Sequence, residues 1–258
     1  MKTKDLLTFT ALMLAISFLA GCGNSWRRIE GNGQVITELR TMPPFNEVVN
    51  DGEFNVYIEQ DSVFEVSIEA ESNLVPYIRT RVNGTTLHID TRENLRDHYG
   101  MNLYITTPDV YAVTLNGSGL IASREMIKTE NLDLGISGSG NIDFDVEADL
   151  VRVGISGSGS ADMNIFCDAL VATITGSGDM YFHGLANRGD YRISGSGTIR
   201  ADNMELNECY ATISGSGSMY VTVMEYLEAI ISGSGSIYYY GDPSVSTNIT
   251  GSGSVIKP

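Results

Sequence analysis

The sequence predicts an all-β chain: a parallel β-helix solenoid of about eight coils, preceded by a strand-rich N-terminal part. Three observations predict it. The tripeptide Gly-Ser-Gly occurs eight times, starting at Gly117, Gly138, Gly157, Gly176, Gly195, Gly215, Gly233 and Gly251. The copies recur every 18 to 21 residues, and a fixed period with a glycine signature marks a stacked-repeat architecture. Each copy also follows an aliphatic residue and one Ser, Thr or Asn, as in Ile136-Ser137, Ile155-Ser156 and Ile174-Thr175, and lies inside apolar alternation.

That alternation has period two, so one face of each strand points inward. Upstream of the corner it runs through Leu132 and Leu134, Val151 and Val153, Leu170 and Ala172, Cys209 and Ala211, and Leu227 and Ala229. Downstream it resumes with Ile142 and Phe144, Met180 and Phe182, Met219 and Val221, and Ile237 and Tyr239. Each coil therefore reads strand, Gly-Ser-Gly corner, strand, short loop. No strand buries its apolar face alone, and stacking equivalent strands builds one continuous core. Glycine suits the corner because it accepts positive φ and lets stacked backbones come close. The middle serines stack in a column where their hydroxyls are expected to bond the next turn. A flexible Gly/Ser linker would lack the apolar alternation and the constant spacing. Strict left-handed helices run on six-residue subrepeats that this spacing does not show, which favours a right-handed helix.

Taken in order, residues 1–21 read as a lipoprotein signal peptide. Lys2 and Lys4 supply the positive start, and the apolar run from Leu6 to Leu19 is short for a membrane span. Leu19-Ala20-Gly21-Cys22 resembles the bacterial lipoprotein box, in which the cysteine becomes the first residue and carries the lipid. Lipidation at Cys22 anchors a protein to a membrane surface without spanning it. Residues 22–28 form a tether.

Removing residues 1–21 takes away two lysines and one aspartate, moving the net charge from −16 to −17. Such a surface repels nucleic acid. Beyond Cys22 only Cys167 and Cys209 remain. They sit two coils apart, outside disulfide reach at about 4.8 Å per coil, so two free thiols are expected. No CxxC and no histidine at ligand spacing suggests a metal site.

Residues 29–110 hold candidate strands at 34–39, 46–50, 54–59, 63–70, 77–82, 86–90 and 102–106. Asn83-Gly84 reads as a hairpin turn. Asn50-Asp51-Gly52 stands where later coils have their corner. The region is either a separate β domain or a set of degenerate, capping coils, since terminal repeats must close an open core. Residues 111–258 are the Gly-Ser-Gly β-helix.

The N-terminal order of motifs carries a family resemblance. It comprises an opening strand at 34–39, Phe45-Asn46-Glu47-Val48-Val49, Gly52-Glu53-Phe54-Asn55-Val56, Asn73-Leu74, Thr86-Leu87-His88-Ile89 and Ile105-Thr106-Thr107-Pro108. With the repeated Ile-Ser-Gly-Ser-Gly, it resembles the GIN-type head domain of putative auto-transporter adhesins, a domain common in Bacteroidetes lipoproteins. The resemblance runs from about Ile29 to Val255. It implies a surface adhesin and brings no catalytic residue set.

Two outward arrays remain as candidate sites. The outward positions next to each inward start read Asp143, Asp162, Tyr181, Arg200, Tyr220 and Tyr238; two further on come Asp145, Asn164, His183, Asp202, Thr222 and Tyr240. Asp143, Asp145 and Asp162 form a weak candidate cluster for a cation or a carboxylate pair, set against a plain solvated acidic face. Lyase chemistry needs a base with a cationic stabiliser, and this array holds one arginine. Tyr181, His183, Tyr220, Tyr238 and Tyr240 form a candidate ligand-binding face, because exposed tyrosines favour recognition. Tyrosine is also simply a good strand residue. His88 and His98 show no partner pattern.

The sequence-level expectation is a non-enzymatic, lipid-anchored protein of the cell envelope. It is placed at the outer membrane, facing the periplasm or the exterior, with an adhesive or scaffolding role and a surface glycan or protein as ligand. No catalytic residue, cofactor, resident metal or nucleic-acid partner is expected. The alternatives are a carbohydrate-active β-helix protein and an end-to-end assembly module.

Overall fold

A computed structural model of the protein describes residues 28–258. The expected signal peptide, Cys22 and all but the last residue of the tether lie outside the described residues. The N-terminal part contains β1 (Ile29–Glu30), β2 (Val35–Thr41), β3 (Glu47–Asn50), β4 (Asn55–Gln60) and β5 (Glu65–Glu71). A 3-10 turn at Val75–Tyr77 leads to β6 (Ile78–Asn83), β7 (Thr86–Thr91), β8 (Leu95–Arg96) and β9 (Asn102–Thr107). The first Gly-Ser-Gly coils hold β10 (Ala112–Gly117), β11 (Leu120–Ser123), β12 (Ile127–Lys128) and β13 (Asn131–Gly138). Five long strands follow: β14 (Asn141–Gly157), β15 (Ser160–Gly176), β16 (Asp179–Gly195), β17 (Thr198–Gly215) and β18 (Ser218–Gly233). The chain ends with β19 (Ser236–Tyr240), β20 (Ser244–Gly251) and β21 (Ser254–Ile256).

The molecule is a β-solenoid, and successive coils pair in parallel from β10 to β21. Each inner coil buries two triplets, for example Ile142, Phe144 and Val146, then Val151, Val153 and Ile155. The triplets face each other: Phe182 of one run and Tyr191 of the other bring their rings to 6.0 Å. Burying an aliphatic or aromatic side chain contributes about 1.5–3 kcal/mol, so the stability grows coil by coil.

Where the sequence predicts a short loop after the second strand, the chain instead bends within one long strand. Pairing of β14 with β15 runs from Asn141↔Ser160 to Gly157↔Gly176 and skips only Asp149. The inward alternation lapses at 147–150 and resumes at Val151, because a bend, not a loop, forms the second corner.

At the Gly-Ser-Gly corner the turns bond through backbone. Ser158, Ser177 and Ser196 donate their N–H groups to the carbonyls of Gly138, Gly157 and Gly176, each at 2.9 Å. The serine side chains are exposed, so the bonds expected from their hydroxyls are replaced by bonds from the amides. Gly176 shows why glycine stands here. Its φ is +124°, and a Cβ would lie 2.5 Å from the carbonyl oxygen of Gly157.

The drift in spacing is absorbed away from that corner. Twenty residues separate Gly195 from Gly215, and the extra one forms a register shift between Tyr181 and His183 of β16 and their partners on β17. The glycine corners are too tightly stacked to shift, so the strand that follows the corner takes the insertion as a bulge.

The strands of 29–110 pair into the same ladders. β3 lies between β7 and β10, and β4 between β9 and β11, all in parallel. Gly52 stacks under Gly117, as its place in the sequence suggests. The chain then reverses direction: β5 is antiparallel to β9, β2 to β5, and β6 to β7. Gly84, with φ +64°, turns the β6–β7 hairpin. One cluster of buried side chains extends from Phe45 to Ile237.

Candidate recognition face

The outward residues of one sheet stack in register along the solenoid. Asp143 pairs with Asp162, Asp162 with Tyr181, Tyr181 with Arg200, Arg200 with Tyr220 and Tyr220 with Tyr238. This is the order that equal spacing predicts. Strand alternation puts these side chains outside while Met180, Ile199, Met219 and Ile237 beside them are buried.

The stacking decides what the tyrosines offer. Tyr220 and Tyr238 lie parallel, with centroids 4.7 Å apart and an interplanar angle of 8°. The Arg200 guanidinium covers the Tyr220 ring at 4.4 Å. The rings therefore spend their faces on one another and on a cation, and both residues are half-buried. A ligand on this face meets ring edges, hydroxyl tips and the guanidinium edge. Tyr181 and Tyr240 are exposed, and Tyr240 pairs with Thr222 at the margin.

The neighbouring column departs from equal spacing. The bulge places Asn203, not Asp202, against His183. Asp202 instead uses its carbonyl to accept a hydrogen bond from Thr222 Oγ1 at 2.8 Å. His183 Nε2 lies 3.5 Å from Asp162 Oδ1, so the imidazole joins the tyrosine ladder to the acidic stretch.

In that stretch, burial and then the charges of Asp162 and Asp145 raise the pKa of Asp143. Asn164 donates to Asp145 at 2.6 Å. Among the described residues no three His, Cys, Asp or Glu side chains gather where a metal ion could sit. An open groove of about 570 Å³ lies elsewhere, lined by Gly52, Glu53, Thr91, Leu95 and Met101. The aspartates do not line it.

Three arrangements escaped sequence reasoning. Arg188 lies 4.2 Å from the Tyr210 ring, which is 6.0 Å from Tyr226, forming a second cation–aromatic stack on the other sheet. Its residues fall between the Gly-Ser-Gly landmarks, and only the observed register brings them together. Tyr191 is fully buried. Gly189 makes room for it, since a Cβ there would lie 3.0 Å from the Tyr191 ring. The third is at His98. Buried Glu71 accepts hydrogen bonds from Gly33 N at 2.6 Å and His98 N at 2.9 Å, and its Oε1 lies 3.1 Å from His98 Nδ1. Burial raises the Glu71 pKa, but these bonds and the imidazole lower it further, and the net shift is downward. Cys209 is buried and Cys167 half-buried, both as free thiols, and burial pushes Cys167 up to about 12.

The family model described as "Putative auto-transporter adhesin, head GIN domain" matches residues 44–161 and again 147–243. Among curated proteins none matches the chain in sequence. Solved structures do. One described as a putative lipid binding protein from Parabacteroides distasonis is 26% identical with a TM-score of 0.83, covering 90% of this chain and all of its own. A putative adhesin from the same organism is 23% identical with a TM-score of 0.85, over 89% of this chain and 99% of its own. A putative adhesin from Parabacteroides merdae is 24% identical with a TM-score of 0.84, over 89% and 99%.

Proposed function

Because the chain belongs to the family of putative auto-transporter adhesins with a head GIN domain, we propose that it is a non-enzymatic adhesin of the cell envelope. In this reading it is held at the outer membrane by a lipid on Cys22 and recognises a surface glycan or protein. The observation that carries the reading is the continuous outward ladder of Tyr181, Arg200, Tyr220 and Tyr238. The stacked rings are held rigid before any ligand arrives, which lowers the entropy lost on binding. Their hydroxyl edges with Arg200 suit a polyhydroxylated or peptide surface better than face-on stacking of a sugar ring. The non-enzymatic reading is supported by the absence, in this array, of a base set against an electrophile stabiliser.

The test is attachment of the folded double variant Tyr220→Ala/Tyr238→Ala to cells or matrix, with circular dichroism as the control. Aromatic anchors can carry more than about 1 kcal/mol each, so attachment should weaken about tenfold or more. Unaltered attachment would return the ladder to a strand-forming surface. Cys22→Ala should move the protein from the membrane to the soluble fraction, and added protease should cut it on intact cells if it faces outward. Turnover of a glycan that is lost in Asp143→Asn or Asp162→Asn would instead establish an enzyme.

A further inference from the structure

Every inner coil has a neighbour on each side, and the last coil has one only. β20 pairs with β18, and β21 with β19. Val245, Thr247 and Ile249 continue the inward columns of Leu227, Ala229 and Ile231. Those three are buried, whereas Val245 is 38% and Ile249 41% exposed. The tip thus presents the open end of the core and two unpaired strand edges, with their free N–H and C=O groups.

Soluble proteins guard such edges with charges, proline or bulges. Residues 244–256 contain no Asp, Glu, Lys, Arg or His, in a chain of net charge −16. The other end follows the rule: its edge strand β2 carries Glu38 and Arg40, and its edge strand β6 carries Arg79 and Arg81. Beside these strands, Lys257 is paired with Asp242 rather than with either edge.

We infer that the C-terminal tip docks against the same tip of a second copy of this chain. Two features select that occupant. The edges belong to two sheets that face each other across the core, so one two-fold axis normal to both lays β20 against β20 and β21 against β21, antiparallel. A single foreign strand would cover one edge and leave the other open. A two-fold contact also sets a patch against itself, and an uncharged patch is the form in which two acidic chains meet without opposing like charges. A head-to-tail contact would press the charged β2 and β6 edges onto an uncharged tip that offers them no partner. In the tip-to-tip pair the two N-termini lie at opposite ends.

The experiment is sedimentation velocity over a range of concentrations on the full chain carrying Cys22→Ala, so that no lipid contributes to association. A reversible dimer is expected. Thr247→Lys points a charge inward at the edge and should raise the dissociation constant about tenfold or more, with an unchanged circular dichroism spectrum. Leu39→Lys, at the other end, should leave the dimer intact. Should Thr247→Lys disturb the last coil, Ser246→Glu on the outward face of the same edge serves in its place and should weaken the dimer likewise. A chain that is monomeric throughout, a dimer indifferent to both tip variants, or a dimer dissolved by Leu39→Lys overturns the inference.

Discussion

The inward column that begins at Ile89 and passes through Asn50, Leu115 and Ile136 ends at Ile249. Ile89 is wholly buried and Ile249 is 41% exposed, although both are isoleucines in equivalent places. The N-terminal end is closed by chain that doubles back: β6 runs antiparallel along β7, and β5 and β2 run antiparallel beyond β9. Glu71 then ties the closure, its buried carboxylate joining the Gly33 and His98 segments through hydrogen bonds. Gly31 passes so close that any Cβ there would collide with that carboxylate. At the C-terminal end, β20 and β21 each have a neighbour on one side only among the described residues. A parallel ladder cannot cap itself, because each coil recreates the edge it covers. Closure needs a change of strand direction, and the N-terminal end makes that change.

The largest expected effect tests the comparison at its two extremes. Ile89→Ala should cost about 2–5 kcal/mol, the range for large-to-small changes in a packed core. The measurement is the denaturant midpoint, and a cost like that of an exposed residue would mean that the cap does not close the column. Between the ends, Gly176→Val should cost about 1–3 kcal/mol through backbone strain, with the contact on Gly157 adding to it. An unchanged midpoint there would remove the reason for glycine at the corners.

A smaller effect distinguishes the ends by pH. The Glu71 carboxylate has a pKa below its ordinary value of 4.5, so it stabilises the fold above that value. The stabilisation is lost as pH falls from about 4.5 through the lowered folded pKa. Amide exchange should show the N-terminal cap loosening in acid, while residues 244–256, with no acidic or basic side chain, contribute no titration of their own. Glu71→Gln should abolish this part of the acid response; its persistence would assign the response to another group. The smallest effect is expected from Ile249→Ala, under about 1 kcal/mol in the monomer because little transfer from water is lost. A cost equal to that of Ile89→Ala would show the tip to be covered.

The sequence by itself determined the solenoid, because the corner demands glycine and each strand must alternate. The period near 19 and the inward residues from Leu132 to Ile237 follow from those two requirements. It also determined the Tyr181–Arg200–Tyr220–Tyr238 ladder, since parallel in-register stacking repeats a spacing faithfully. What only the tertiary structure decided lies where the repeat breaks. The bulge that swaps Asn203 for Asp202 beside His183 depends on where along the coil an extra residue is accommodated. Asn83-Gly84 announces the β6–β7 hairpin, but strand β5 alternates like its neighbours and nothing local in it states that it runs antiparallel. His98 meets Glu71 across 27 residues of chain, a separation that no short pattern encodes. At the tip, Ile249-Thr250-Gly251-Ser252-Gly253 reads like the buried copies before it, and its exposure comes from having a neighbour on one side only. Local propensity and period are written in each repeat, but burial belongs to the neighbour, and a neighbour exists only in the assembled structure.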